Sequence, residues 1–136
     1  MTLRPENRND LVKLRLQKAN ETYAEIDNLI HLGYWRTAAN RLYYACYYAV
    51  SALLIKNGIK AHTHSGVINQ FGLNFVTTDI FSQQEGRFFK KLFELRQDGD
   101  YDDWITITEN DVMPLMEPSK NLICKIEQLI KIDTMT

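Results

Sequence analysis

Cysteine, proline and glycine are all scarce in this chain, and no apolar run is long enough to span a bilayer. Two cysteines, Cys46 and Cys124, stand far apart in 136 residues. That excludes a disulfide framework and suits a reducing compartment, with both expected as buried thiols. A net charge of −1 excludes a global basic field for sequence-independent nucleic-acid binding and leaves room only for a local basic groove. The first ten residues lack the apolar core of a signal peptide, so the expected location is the cytoplasm, with no membrane contact. No alternating apolar–polar stretch marks a strand, and nothing repeats at a fixed period. What is present is 45% hydrophobic residues, enough for one domain with its own core. The expectation is all-α: an up-down bundle of four to five helices over residues 10–132, with a loose arm at 1–9 and a tail at 133–136.

The organising stretch runs from Trp35 to Asn57, free of Gly, Pro and acids, with four tyrosines. Trp35, Ala39, Leu42, Cys46, Ala49 and Leu53 recur at three- and four-residue steps, one face of a helix. The opposite face reads Thr37, Asn40, Arg41, Tyr44, Tyr48, Ser51, Ile55, aromatic and hydroxylic with a single cation. A helix with two such faces is covered on both sides, by the same chain, a second copy or a partner.

Before it, Val12, Leu16, Ala19, Tyr23, Ile26 and Ile30 mark an amphipathic helix capped near Asn9 or Asp10 and stopped by Gly33, which forces a tight hairpin with the central helix. After Gly58 a polar connector leads to a short helix carrying Val67, Ile68, Phe71 and Phe75, with Thr63 or His64 at its start. Ser82 is placed to cap a fourth helix from about Gln83 to Arg96. Residues 97–104 then break that helix and hold four carboxylates in six positions. The last helix starts near Thr108–Asp111, and Pro114 and Pro118 predict a kink or irregular start.

The runs Y-W-R-T-A-A-N-R-L-Y-Y-A, H-T-H-S-G-V-I-N-Q-F and L-R-Q-D-G-D-Y together resemble the HEPN domain (higher eukaryotes and prokaryotes nucleotide-binding), in its small stand-alone prokaryotic form with R-x-Y-Y-A and R-x-x-x-D-Y patterns. The resemblance covers about residues 10 to 132. It implies a homodimer with a polar groove between protomers built from the second and fourth helices, and a place in a toxin–antitoxin pair beside a small nucleotidyltransferase. Many HEPN proteins are metal-independent ribonucleases with Arg, four to six residues, then His. Here those positions after Arg96 hold Tyr101, Asp102 and Asp103, and no histidine follows His64.

The candidate nucleotide- or RNA-binding residues are Arg41, Tyr44, Tyr48, His64, Arg96, Asp100 and Tyr101. Arg41 and Arg96 are guanidiniums on aromatic or apolar helix surfaces, and a buried guanidinium must be paired. Either they clamp the 98–103 loop onto the helices, or their forks also face a phosphate in the groove. Asp100 and Tyr101 match the family's D-Y. They serve as an Arg partner and a packed ring, or they display a phenol at the groove, and the resemblance makes Tyr101 a candidate acceptor of AMP. The four helix-two tyrosines suit a dimer interface or base stacking. His62-x-His64 lacks the further ligands a metal site needs, so no metal or other cofactor is expected and His64 reads as a helix cap. The reading that follows is an RNA- or nucleotide-binding, or protein-interaction, component of a toxin–antitoxin-like pair without standard ribonuclease catalysis. The alternatives are a metal-independent endoribonuclease with a non-standard site, or a purely structural dimeric module.

Overall fold

A computed structural model describes the backbone of residues 5–135 and the side chains of residues 7–131. The helices are α1 (Pro5–His31), α2 (Trp35–Lys56), α3 (His64–Phe71), α4 (Gln83–Tyr101) and α5 (Glu109–Met135). A π turn, Gly72–Val76, extends α3, and no strand occurs among the described residues. The chain is all-α, as its periodicity predicts.

Helix α2 is the centre: α1, α3, α4 and α5 all pack on it, while on its second face Asn40, Arg41, Tyr44, Tyr48 and Ile55 stay half-buried and Thr37 exposed. Its Ala38, Ala39, Leu42, Tyr43, Ala45, Cys46, Ala49 and Val50 are buried, so small residues let the neighbouring helices close in. The α1–α2 hairpin turns at Gly33 (φ 74°), where Tyr34 N–H donates to Leu29 O at 2.9 Å and Gly33 N–H to Ile30 O at 3.0 Å. That paired bond pattern with a left-handed glycine ends a helix and reverses the chain. Gly58 (φ 70°) ends α2 in the same way, with Ile59 N–H on Leu54 O.

Several boundaries differ from the sequence reading. Helix α1 already includes Pro5, so it does not start at a cap on Asn9 or Asp10. Thr63, not His64, caps α3, its side chain accepting from Gly66 N–H at 2.9 Å. Helix α5 runs on through both Pro114 and Pro118, and between them the Tyr23 hydroxyl donates to Met116 O at 3.0 Å. Cys46 is buried, and burial pushes its thiol up to about 12, but Cys124 is exposed, against expectation. Phe81, in what reads as a plain connector, is fully buried against Phe71 and Phe75.

Most consequential for the site, α4 does not stop near Arg96. It continues to Tyr101, and Asp102 ends it. Gly99 allows this closeness: a Cβ there would stand 3.0 Å from Ile107 Cγ1 and 3.3 Å from Arg36 Cγ.

Ser82 opens α4 with a complete capping box: Glu85 N–H donates to Ser82 Oγ at 3.0 Å and Ser82 N–H to Glu85 Oε1 at 2.8 Å. Lys125 of α5 joins Glu85 Oε1 at 3.0 Å. Burial pushes the Glu85 carboxyl up, but the Ser82 and Lys125 bonds outweigh it and hold the group below its ordinary 4.5. Ser82→Ala is therefore expected to cost about 1 kcal/mol in urea unfolding with an unchanged m-value. The Glu85 contribution is present above pH 4.5 and is lost as pH falls through the lowered value, so the stability gap between wild type and Glu85→Gln narrows on acidification.

Candidate functional site

The extension of α4 puts Arg96 and Asp100 one helical turn apart, so they pair within the helix instead of across a loop. Arg96 is 8% exposed, with its Nε 3.1 Å from Asp100 Oδ2. That N–H is not directed at the carboxylate, so the contact is coulombic attraction, not an aligned hydrogen bond. The outer nitrogen, Nη2, donates to the Tyr44 hydroxyl at 2.9 Å and reaches the Tyr101 hydroxyl at 3.5 Å. Its Cζ lies 5.7, 5.2 and 5.4 Å from the ring centres of Tyr43, Tyr44 and Tyr101, within cation–π range.

Arg41 takes a different place from the one expected. Its Nε and Nη2 both donate to Asn40 Oδ1, at 3.0 and 2.8 Å, and Asn40 Nδ2 passes a bond to Asp100 Oδ2 at 2.9 Å. The clamp on the acidic segment is thus Arg96 and Asn40, with Arg41 one step removed. Arg41 is half-buried, lies 5.3 Å above the Tyr44 ring, and among the described residues pairs with no carboxylate. Two guanidiniums therefore share one tyrosine, and only the one on α4 is neutralised.

His64 enters the same cluster because Thr63 takes the capping role and frees the ring. Its Nδ1 lies 2.7 Å from the Tyr43 hydroxyl, and its ring lies 4.7 Å from that of Tyr47 and 5.8 Å from that of Tyr44. Burial and the Arg96 charge both lower its pKa from 6.5, so the imidazole is neutral at pH 7. Burial drives the Tyr43 phenol far above its ordinary 10.0. Tyr48 sits one ring farther out, in contact with Tyr44 and Tyr47 and with Lys18 Nζ 5.7 Å from its centre.

Of the predicted residues, Tyr44, Arg96, Asp100 and Tyr101 touch directly, Arg41 and His64 join through Asn40, Tyr43 and Tyr44, and Tyr48 stays at the margin. Tyr43, fully buried, is closed to any interface, which corrects the reading of all four tyrosines as one contact surface. His62 is exposed and turns to a different cavity, so H-x-H is not one site. Among the described residues, no three His, Cys, Asp or Glu side chains converge as a metal ion would require. The sequence reading missed three participants. Asn40 relays between Arg41 and Asp100, Tyr43 holds His64, and Trp104 is 96% exposed beside Tyr101 at an open depression walled by Asp98, Asp102 and Asp103. Tyr43 was traceable, since it falls four residues after Ala39 on the apolar stripe.

A bundle built on a tyrosine-rich central helix, with an Arg-Asp-Tyr corner on the fourth, defines a class. The HEPN domain family model matches residues 12–129, and the chain belongs to that family. It is similar to a UPF0332 protein of Thermotoga maritima, 37% identical over 95 residues, which span 70% of this chain and 72% of that protein. A Methanocaldococcus jannaschii protein bearing the name "Putative toxin" is 27% identical over 121 residues, 89% of this chain and 82% of its own. In fold the chain matches the crystal structure of TT1696 from Thermus thermophilus, with a TM-score of 0.73 at 14% identity, covering 86% of this chain and 96% of that one. No helix among the described residues is long and apolar enough to cross a membrane.

The imidazole environment generates a direct test. By NMR titration the His64 midpoint is expected below 6.5, and Arg96→Gln raises it partway, removing the coulombic cause while burial remains. Since the unfolded chain binds this proton more readily, the His64 contribution to stability is complete above pH 6.5 and declines as pH falls below it.

Proposed function

We propose that this chain is the HEPN component of a toxin–antitoxin-like pair, homodimeric, and that the Arg96 corner is where its nucleotidyltransferase partner and a nucleotide phosphate are met. The observation that carries the reading is Tyr101, 72% exposed, with its hydroxyl 3.5 Å from a buried guanidinium and its ring centre 5.4 Å from it. A phenol so placed is presented to a partner, and the adjacent positive charge favours the negative charge left on its oxygen as the proton is withdrawn. As an AMP acceptor, the Tyr101 oxygen bonds to the α-phosphorus of ATP, pyrophosphate leaves, and the phenolic proton passes to a base on the transferase. Arg41, whose charge no carboxylate neutralises, is the fork available to a phosphate oxygen. The toxin name borne by the Methanocaldococcus relative supports the pairing.

A second reading has its own observation. His64, neutral and hydrogen-bonded to Tyr43, lies in the same ring cluster as Arg96, and an imidazole there has the acid–base range that a metal-independent ribonuclease with a non-standard site would use.

Incubation with a candidate small nucleotidyltransferase, ATP and Mg²⁺ is expected to add one AMP to Tyr101, read by peptide mass spectrometry and absent in Tyr101→Phe. No adduct on wild type, or an adduct surviving in the Phe variant, refutes the acceptor role. In parallel, total RNA incubated in EDTA is expected to stay intact while binding weakens with salt, Arg41→Ala making the log–log salt slope shallower by about 1. Cleavage that His64→Ala slows by about 10²–10⁴-fold establishes the ribonuclease reading instead. Neither adduct, nor RNA binding, nor cleavage leaves a structural module.

A further inference from the structure

Away from the Arg96 corner, where the start of α1 runs beside the end of α2, lies a cavity of about 510 Å³. Gly58 takes a left-handed turn there, and residues 59–62 after it line the cavity. Arg8 and Arg15 stand on one face of α1, two turns apart, and Lys60 faces them from the connector. Among the described residues no Asp or Glu lines the cavity, and none of these three cations lies within ion-pair distance of a carboxylate. The guanidinium of Arg8 lies across Gly58, where the carbonyl end of α2 suits a positive charge. Arg15 is half-buried with no such explanation, and Lys60 adds a third charge in a chain whose net charge is −1. The floor differs in kind. Tyr47 and Leu54 bring apolar area to the lining, and Tyr47 and Ser51 are residues that carry hydroxyls.

From this we propose that the cavity is a binding site for a phosphomonoester with an apolar or aromatic body. Three cations with no carboxylate beside them among the described residues suit a dianion better than a single carboxylate, and two arginine forks match phosphate oxygens. The cavity's size fits a small organic ligand, not a bare ion, and its mixed lining is that of small-molecule sites. The site shares no cation with the Arg96 corner, so its test stands apart from that reading.

Isothermal titration of the full chain with phenyl phosphate, phenol and inorganic phosphate decides it. Phenyl phosphate is expected to bind at least about tenfold more tightly than either fragment. The Arg15→Gln/Lys60→Gln double variant is expected to lose about tenfold or more of that affinity, and the charge-keeping Arg15→Lys/Lys60→Arg variant to retain most of it. Ligand-free thermal unfolding of both variants separates lost charge from lost packing. Undetectable binding of phenyl phosphate to wild type, binding equalled by phenol or by inorganic phosphate, or affinity unchanged in the double Gln variant overturns the proposal.

Discussion

A guanidinium that cannot shed its proton sits almost wholly inside this protein, and its accommodation governs the geometry around it. Arg96 is taken out of water on a helix face shared with Phe89 and Leu92, where an unpaired charge is costly. The compensation comes from two helices. Asp100 answers from α4 itself, and Tyr43 and Tyr44 come from α2 with a hydroxyl and two ring faces. Because the partners lie on different elements, pairing this charge also fixes how α4 rests on α2. Removing one partner of such a group costs more than the contact was worth, since the remaining charge stays buried.

That constraint explains where sequence reading succeeded and where it failed. The hairpin glycines, the Ser82 cap and the central helix obey rules that act within a few residues, and they were legible. A cation on an apolar stripe was legible too, as a conflict that had to be resolved somewhere. The end of α4 was not. Gln97-Asp98-Gly99-Asp100 carries poor helix formers and reads as a break, but the Arg96–Asp100 pair one turn apart and the packing of Ile107 and Arg36 against the bare Gly99 backbone continue the helix to Tyr101. Tertiary contacts outweighed local propensity. Thr63 and His64 were both eligible caps by composition, and only the phenol of Tyr43, distant in sequence, decides that His64 turns inward. Cys124 lies on a helix whose apolar stripe includes Ile123 and Ile126, and one position of helical phase exposes it.

The charge inventory at the corner restrains what it can hold. Arg96 is offset by Asp100, while Arg41 beside Asn40 and Arg36 beside Gly99 have no carboxylate within ion-pair distance among the described residues, and Asp98, Asp102 and Asp103 wall the neighbouring depression. A long polyanion laid across both would meet attraction on one side and repulsion on the other. A single phosphate at Arg41, with a protein surface over the exposed Trp104 and Tyr101, meets neither conflict: exposed aromatics beside carboxylates suit a partner that brings both apolar area and positive charge. This asymmetry is why a partnered role fits the corner better than unaided RNA grip.

The H-x-H pair carries the same lesson to the other side of α2. His64 goes to the buried phenol and His62 to the basic cavity, so two adjacent signals in the sequence belong to two surfaces. They are not insulated from each other. Tyr47 is both a wall of the cavity and the ring nearest His64, with 4.7 Å between centroids. A side chain that packs on both sides transmits any shift of its ring, because close-packed rings move only by displacing their neighbours. Changes at Tyr47 therefore count at both places, and energies measured for the His64 cluster and for the cavity are additive only when Tyr47 is left in place.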